Sequence, residues 1–321
     1  MNKLYAVGEA LIDFIPGERD SKLKEVTQFQ PQVGGAPTNV ASCVAKLGGK
    51  SSIITQVGED AFGEKIEDTL INIGVDTQHL KKTPEANTAL AFVSLTKEGE
   101  RDFAFYRKPS ADMLLQTEDL TGLEFDSTDI LHFCSVDLVD YPIKHTHVEL
   151  IDKMLQAEGT VIFDPNLRFP LWDSPDALRE TVLEFIPKAH ILKISDEELE
   201  FISSIKDKDE AITSLFKGNV EIVIYTEGKS GASIYTKEGL IANKDGFNVT
   251  VKDTTGAGDA FIGAVIYQLL NHDRNHLIEE GHQYLRFANA VGGLATTEYG
   301  AIESLPIRDE VEKFIRGELN E

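Results

Sequence analysis

Short apolar, β-branched runs alternate with longer segments of helical period, and that alternation restricts the fold more than any other feature of the chain. The runs are Leu4–Gly8, Ser52–Val57, Ile130–Phe133, Thr160–Phe163, His190–Ile194 and Ile222–Tyr225. The helical segments are Thr38–Leu47, Gly63–Ile73, Lys144–Ala157, Pro175–Phe185, Asp209–Phe216, Gly258–Leu270 and His276–Thr296. This order predicts an α/β fold with a mostly parallel sheet covered by helices on both faces. Two regions break the rule. Ala89–Leu95 and Asp102–Tyr106 flank a charged turn at 96–101, and Ala10–Pro16 and Val26–Val33 flank a charged loop at 17–25. Four strands with no helix to cover them predict a small second sheet, supplied by about residues 10–33 and 88–107 and placed as a lid. Its uncovered apolar face is expected to pair with a second copy of the chain.

Charge narrows the function. The chain carries 54 acidic and 31 basic residues, a net charge of −23. Such a surface repels nucleic acid and anionic membranes, and any anionic substrate needs a locally positive pocket. Cys43 and Cys134 are the only cysteines in 321 residues, too few for a disulfide framework, which suits a reducing compartment. Glu9 and Asp13 interrupt the apolar N-terminal stretch, so it does not read as a signal peptide. The apolar stretch Ala260–Leu270 is too short to span a bilayer. A cytoplasmic protein is expected.

The chemistry is concentrated in Asp253-Thr254-Thr255-Gly256-Ala257-Gly258-Asp259-Ala260-Phe261-Ile262-Gly263-Ala264-Val265-Ile266. Gly256, Ala257 and Gly258 leave backbone N–H groups bare at a helix start, where the helix dipole favours an anion. A carboxylate at Asp259 would repel a phosphate bound there for its own sake. It fits a general base that takes a proton from a nucleophile while the N–H groups hold charge developing on a phosphoryl group. A second segment, Gly34-Gly35-Ala36-Pro37-Thr38-Asn39-Val40-Ala41, is followed by Gly48 and Gly58. Its two glycines admit close backbone approach to a ligand, Pro37 suits a first helical turn, and Asn39 offers the donor and acceptor a polyol needs.

Together, in this order, the two segments resemble the paired signatures of the PfkB (ribokinase-like) carbohydrate kinases. The likeness runs from Gly8-Glu9-Ala10-Leu11-Ile12-Asp13 to Gly300-Ala301-Ile302. It implies one domain over residues 1–321: a three-layer αβα sandwich with a mostly parallel central sheet, plus a β-sheet lid. It also implies phosphorylation of a sugar hydroxyl by ATP with Mg²⁺. Asp259 matches the catalytic base, and Gly256, Ala257 and Gly258 match the anion hole.

Further roles follow only from that resemblance. Asp13, Gly34, Gly35, Asn39, Phe105, Arg107 and Arg168 match the sugar side. Thr226, Gly228 and Gly231 match a nucleotide turn, although as residues alone they read as an ordinary hairpin. Ser195, Gly256, Gly258 and Asn289 also match the nucleotide side. Ser195 replaces the usual Asn of the family's Asn-x-x-Glu motif, and Glu198 is expected to act on Mg²⁺ through water. Ser195 and Glu198 equally form a capping box. Asp253, Thr255, Ala295, Gly300 and Ser304 correspond to a monovalent-cation loop, suited to K⁺. Within the family the pattern most resembles bacterial fructokinases. Phe105 stands where a Tyr would serve the carboxylate of 2-keto-3-deoxygluconate, so a neutral hexose is favoured. A 2-keto-3-deoxygluconate kinase and a catalytically silent sugar- or nucleotide-binding protein remain as alternatives.

Overall fold

The structure is a computed structural model that describes residues 2–17, 22–95 and 101–318. Among these, the strands are β1 (Leu4–Val7), β2 (Leu11–Pro16), β3 (Phe29–Gly34), β4 (Ser51–Gly58), β5 (Asp76–Thr83), β6 (Ala89–Leu95), β7 (Arg101–Tyr106), β8 (Ile130–Cys134), β9 (Thr160–Asp164), β10 (Ile191–Ser195), β11 (Ile222–Thr226), β12 (Ala232–Thr236) and β13 (Gly239–Lys244). The helices are α1 (Ala36–Lys46), α2 (Ala61–Ile73), α3 (Pro142–Gln156), α4 (Pro175–Phe185), α5 (Asp196–Ser203), α6 (Lys208–Thr213), α7 (Ala257–Leu269), α8 (Arg274–Glu279), α9 (Gly281–Ala295) and α10 (Arg308–Ile315).

Nine strands form the main sheet in the order β13-β12-β11-β10-β9-β8-β1-β4-β5. Pairing is parallel from β11 to β5 and antiparallel at β11–β12 and β12–β13. Strand alternation sends successive residues to opposite faces. Leu4, Ala6 and Ile53 pack with α1, α2, α7 and α9 on one face. Tyr5, Val7 and Ile54 pack with α3, α4, α5 and α6 on the other. This is the expected three-layer αβα arrangement. The lid is a second sheet, ordered β3-β2-β6-β7. Its turn at 96–100 and its loop residues 18–21 lie outside the described residues.

All six strands expected in the main sheet are present, and the structure adds three more. β5 reads Asp-Thr-Gln-His-Leu-Lys-Lys-Thr, an edge strand whose charged residues hide it from an apolar-run criterion. β12 and β13 form an antiparallel hairpin at the opposite edge. The short helix α10 was also not expected, and α5 was signalled only by the Ser195–Glu198 capping box. The single helix expected over His276–Thr296 is broken at Glu280, whose φ of −108° and ψ of 23° are not helical. Gly281 then begins α9 so close to β13 that a Cβ there would lie 2.8 Å from the Ala242 Cβ. Close seating against the sheet, invisible locally, sets the break. No helix among the described residues is long and apolar enough to cross a membrane.

The polar residues that follow β1, β8, β9 and β10 gather at the carboxyl ends of the parallel strands, where ligands bind in open α/β sheets.

Candidate active site

Helices α1 and α7 lie side by side because small residues line their contact. A Cβ on Gly263 would stand 2.7 Å from the Cys43 Cβ, and the Cys43 thiol reaches the Ala260 carbonyl at 3.4 Å. This close approach joins the two glycine-rich segments. Asn39, from α1, donates through Nδ2 to Oδ2 of Asp259, from α7, at 2.8 Å. Asp259 is 8% exposed. Burial pushes its pKa above the ordinary carboxylate value, while the Asn39 hydrogen bond and the charges of Arg168 and Lys193 pull it down. A carboxylate held in that balance is a stronger base than an exposed aspartate.

Gly256 caps α7 in the left-handed region at φ +72°, which exposes the following amides at the start of the helix. Gly35, at φ +105°, lies so close to the Glu9 carbonyl that a side chain would overlap it. Gly34 does not line the cavity. A methyl on it would overlap Asp13 Oδ2, so its lack of a side chain makes room for the Asp13 carboxylate.

Two cavities meet at the start of α7. The first is lined by Glu9, Asp13, Gly35, Asn39, Phe105, Asn166, Arg168, Lys193, Gly256, Gly258 and Asp259, among others. The second is lined by Ser195, Thr226, Gly228, Gly231, Ala257, Gly258 and Asn289, with apolar walls from Phe247, Val249, Val251 and Phe261. They hold about 210 and 480 Å³ respectively, so the larger ligand belongs in the second. The expected sugar-side and nucleotide-side residues, taken with Glu198, are thus sorted into two adjoining spaces, with four exceptions: Gly256, expected on the nucleotide side, lines the first cavity and not the second, and three others line neither.

Arg107 does not line the cavity. It is 5% exposed, and its guanidinium is ion-paired to Asp112 and Asp137 behind the cavity wall. Strand parity alone would put Arg107 on the cavity face with Phe105, but β7 ends at Tyr106, and past that end the guanidinium is drawn to Asp112 and Asp137. Glu198 lines neither cavity. Its carboxylate accepts from the Ser195 amide at 2.8 Å and the Leu167 amide at 3.1 Å, while Ser195 Oγ accepts from the Glu198 amide. The capping box is therefore real, and it also tethers the segment carrying Arg168. The third, Gly34, acts through Asp13 as described.

Asn289 spends its amide on the Lys244 and Asp245 carbonyls and so fastens one wall of the second cavity. Beside Gly256, the Asp253 carboxylate accepts from the Thr255 amide and hydroxyl and from the Gly300 amide at 3.2 Å. Ser304 Oγ donates to the Ala301 carbonyl, and Ala295 is buried.

Sequence reasoning missed Glu9, Asp164, Asn166 and Lys193. Glu9 Oε1 accepts from the Ala36 amide, and burial raises its carboxyl to about 7 against the opposing charge of Arg107. Lys193 pairs with Asp164 at 3.1 Å. A lone lysine inside the apolar strand Ile191–Ser195 was the available signal.

The geometry has counterparts in known proteins. The chain is 40% identical over 316 residues to the probable fructokinase-2 of Arabidopsis thaliana, covering 98% of this chain and 95% of that protein. A fructokinase from Vibrio cholerae O395, solved in a form bound to fructose, ADP and calcium ion, superposes with a TM-score of 0.88 at 34% identity, covering 98% of this chain and 99% of that one. An aminoimidazole riboside kinase from Salmonella enterica, complexed with aminoimidazole riboside and an ATP analog, gives 0.86 at 29% identity, covering 98% and 100%. The family model for the pfkB family carbohydrate kinases matches residues 1–308. With a buried acid in the first of two adjoining cavities, and with this span of similarity, the chain belongs to the pfkB family of carbohydrate kinases.

Proposed function

We propose that this enzyme is a cytoplasmic fructokinase that transfers the γ-phosphoryl group of ATP to D-fructose, giving fructose 6-phosphate and ADP. The observation that carries the reading is the Asp259 carboxylate, oriented by Asn39 and set beside the bare amides of α7, on the wall of a small polar cavity that adjoins a larger part-apolar one at Gly258. The small cavity receives the sugar, with Asp13 and Asn39 offering polar atoms to its hydroxyls. The larger receives the nucleotide. Asp259 takes the hydroxyl proton as the oxygen attacks phosphorus, and the amides of 256–259 hold the transferring group. Two free, buried cysteines suit a reducing compartment.

A carboxylate substrate such as 2-keto-3-deoxygluconate is disfavoured by two observations. Phe105 lines the cavity, whereas Tyr106 is 65% exposed and stands edge-on to Phe92, on the far face of the lid. Arg107, expected beside Phe105 on the sugar side, is consumed by Asp112 and Asp137.

Mg²⁺ is assigned to the nucleotide phosphates, where it neutralises charge. Both Glu198 oxygens already accept amide hydrogens, so Glu198 fits an action through water and not direct ligation. The carbonyls around Thr255, Ala295, Gly300 and Ser304 fit K⁺, held beside Gly256 by the Asp253-bound loop, where it would add to the positive field. A coupled ADP-release assay with fructose, 2-keto-3-deoxygluconate, ribose and nucleosides tests the substrate. Fructose is expected to give the highest kcat/KM, to require Mg²⁺, and to turn over faster in K⁺ than in Na⁺. A preference for the keto acid or a nucleoside would replace this reading, and equal rates in the two salts would remove the K⁺ assignment.

The far face of the lid stacks Phe14 on Phe92 at 4.6 Å between ring centroids, with Phe29 and Tyr106 edge-on to Phe92. Such a face fits a second copy of the chain. Light scattering at micromolar concentration is expected to give a dimer mass, and a monomer mass would exclude the pairing.

A further inference from the structure

Three residues line both cavities: Lys193, Thr254 and Gly258. Only Lys193 among them carries a charge. It sits on β10, 7% exposed, in a strand whose other side chains are mostly apolar and buried. Burial works against the ammonium, and Asp164, Glu198 and Asp259 outweigh that and push its pKa up. It is therefore a fixed positive charge. Gly258 leaves its access open: a Cβ at that position would stand 3.4 Å from the Lys193 Nζ. The ammonium thus lies at the amide-rich start of α7, on the path between the two ligand spaces. Asp164, 1% exposed, holds one of its three hydrogens at 3.1 Å, which leaves donors for another acceptor.

We propose that Lys193 is a catalytic residue that donates to a non-bridging oxygen of the phosphoryl group in transit, with Asp164 as its positioning partner. The proposal rests on the kinase reading above and deepens it. The sugar oxygen forms the new bond to the γ-phosphorus as its proton passes to Asp259. The bond from that phosphorus to the β,γ-bridging oxygen breaks, and the electron pair leaves on ADP. Lys193 keeps its proton throughout. Its charge is of most use while negative charge is spread over the transferring oxygens, and it has no partner on ADP once the group has left.

That asymmetry supplies a test that a structural lysine would not pass. Two folded variants are compared with the wild type by calorimetry: Lys193→Met, and the double variant Lys193→Met/Asp164→Asn, in which both buried charges leave together so that neither is orphaned. Binding of a non-hydrolysable ATP analogue is expected to weaken by at least about 10-fold, as for loss of a charge-assisted hydrogen bond, while ADP binding stays within about 2-fold. The same variants are expected to lose about 10²-fold or more in kcat, as for loss of an oxyanion donor. Equal weakening of the analogue and ADP, or no weakening of either, overturns the proposal. Failure of the kinase reading itself would show differently, as a wild-type protein with no sugar-dependent ADP release.

Discussion

Asp259→Asn is expected to lower kcat by about 10²–10⁴-fold, the range for loss of a positioned general base, with little change in KM for either ligand. The substitution keeps the size of the side chain and leaves an amide oxygen that can still accept from Asn39, but it removes the basic carboxylate. Two amides then face each other, and neither can hold a proton from the sugar. The pH profile of the wild type should carry the same signature. Burial raises the Asp259 pKa, so the acid limb of kcat/KM should lie above the ~3.9 of an unperturbed Asp, with activity falling as pH drops through it. Steady-state kinetics of wild type and variant across pH check both statements. Undiminished turnover in the variant would remove the base assignment, whereas a wild type that binds both ligands without turnover would revive a catalytically silent relative of the same fold. A variant that loses turnover while still binding ATP and fructose would exclude that alternative.

Arg107→Met should destabilise the fold by about 3–5 kcal/mol at pH 8, the usual cost of removing one partner from a buried ion pair. Arg107 joins the end of β7 to Asp112 and Asp137. Without it, several buried carboxylates lose their shared counter-charge. Burial holds Asp137 well above its ordinary pKa and Glu9 near 7 even with Arg107 in place. Carboxyls whose folded pKa exceeds the unfolded value stabilise the native state most at low pH and lose that contribution as pH rises through the folded pKa. The deficit of the variant should therefore shrink between pH 8 and pH 5.5. Urea denaturation of both proteins at the two pH values measures this. A variant as stable as wild type at pH 8 would show that the cluster does not hold the base of the lid.

How far the sequence discloses the molecule depends on whether the signal is local. The glycine turn that opens α7 was legible because glycine, helix period and acid lie within one continuous stretch, from Gly256 to Asp259. The layered sheet was legible because buried parallel strands are apolar throughout. Arg107 was misplaced because it lies just past the end of β7 and one of the carboxylates that hold it in the core, Asp137, lies 30 positions away. Lys193 was missed because its partner lies 29 positions away, on the neighbouring strand, and nothing near it in sequence explains a buried charge. Strand β5 was hidden by the polar residues that suit an edge. The break at Glu280 reflects the approach of Gly281 to Ala242, a contact between distant parts of the chain.

The seating of Gly263 against Cys43 has a wider consequence. It sets the gap between the two helices that carry Asn39 and Asp259, so the aim of the proposed base depends on a dimension set inside the buried core. A single added methyl there would tilt the carboxylate's support with every ligand contact intact. Control over turnover in this enzyme thus extends to a spot that a survey of binding residues would pass over.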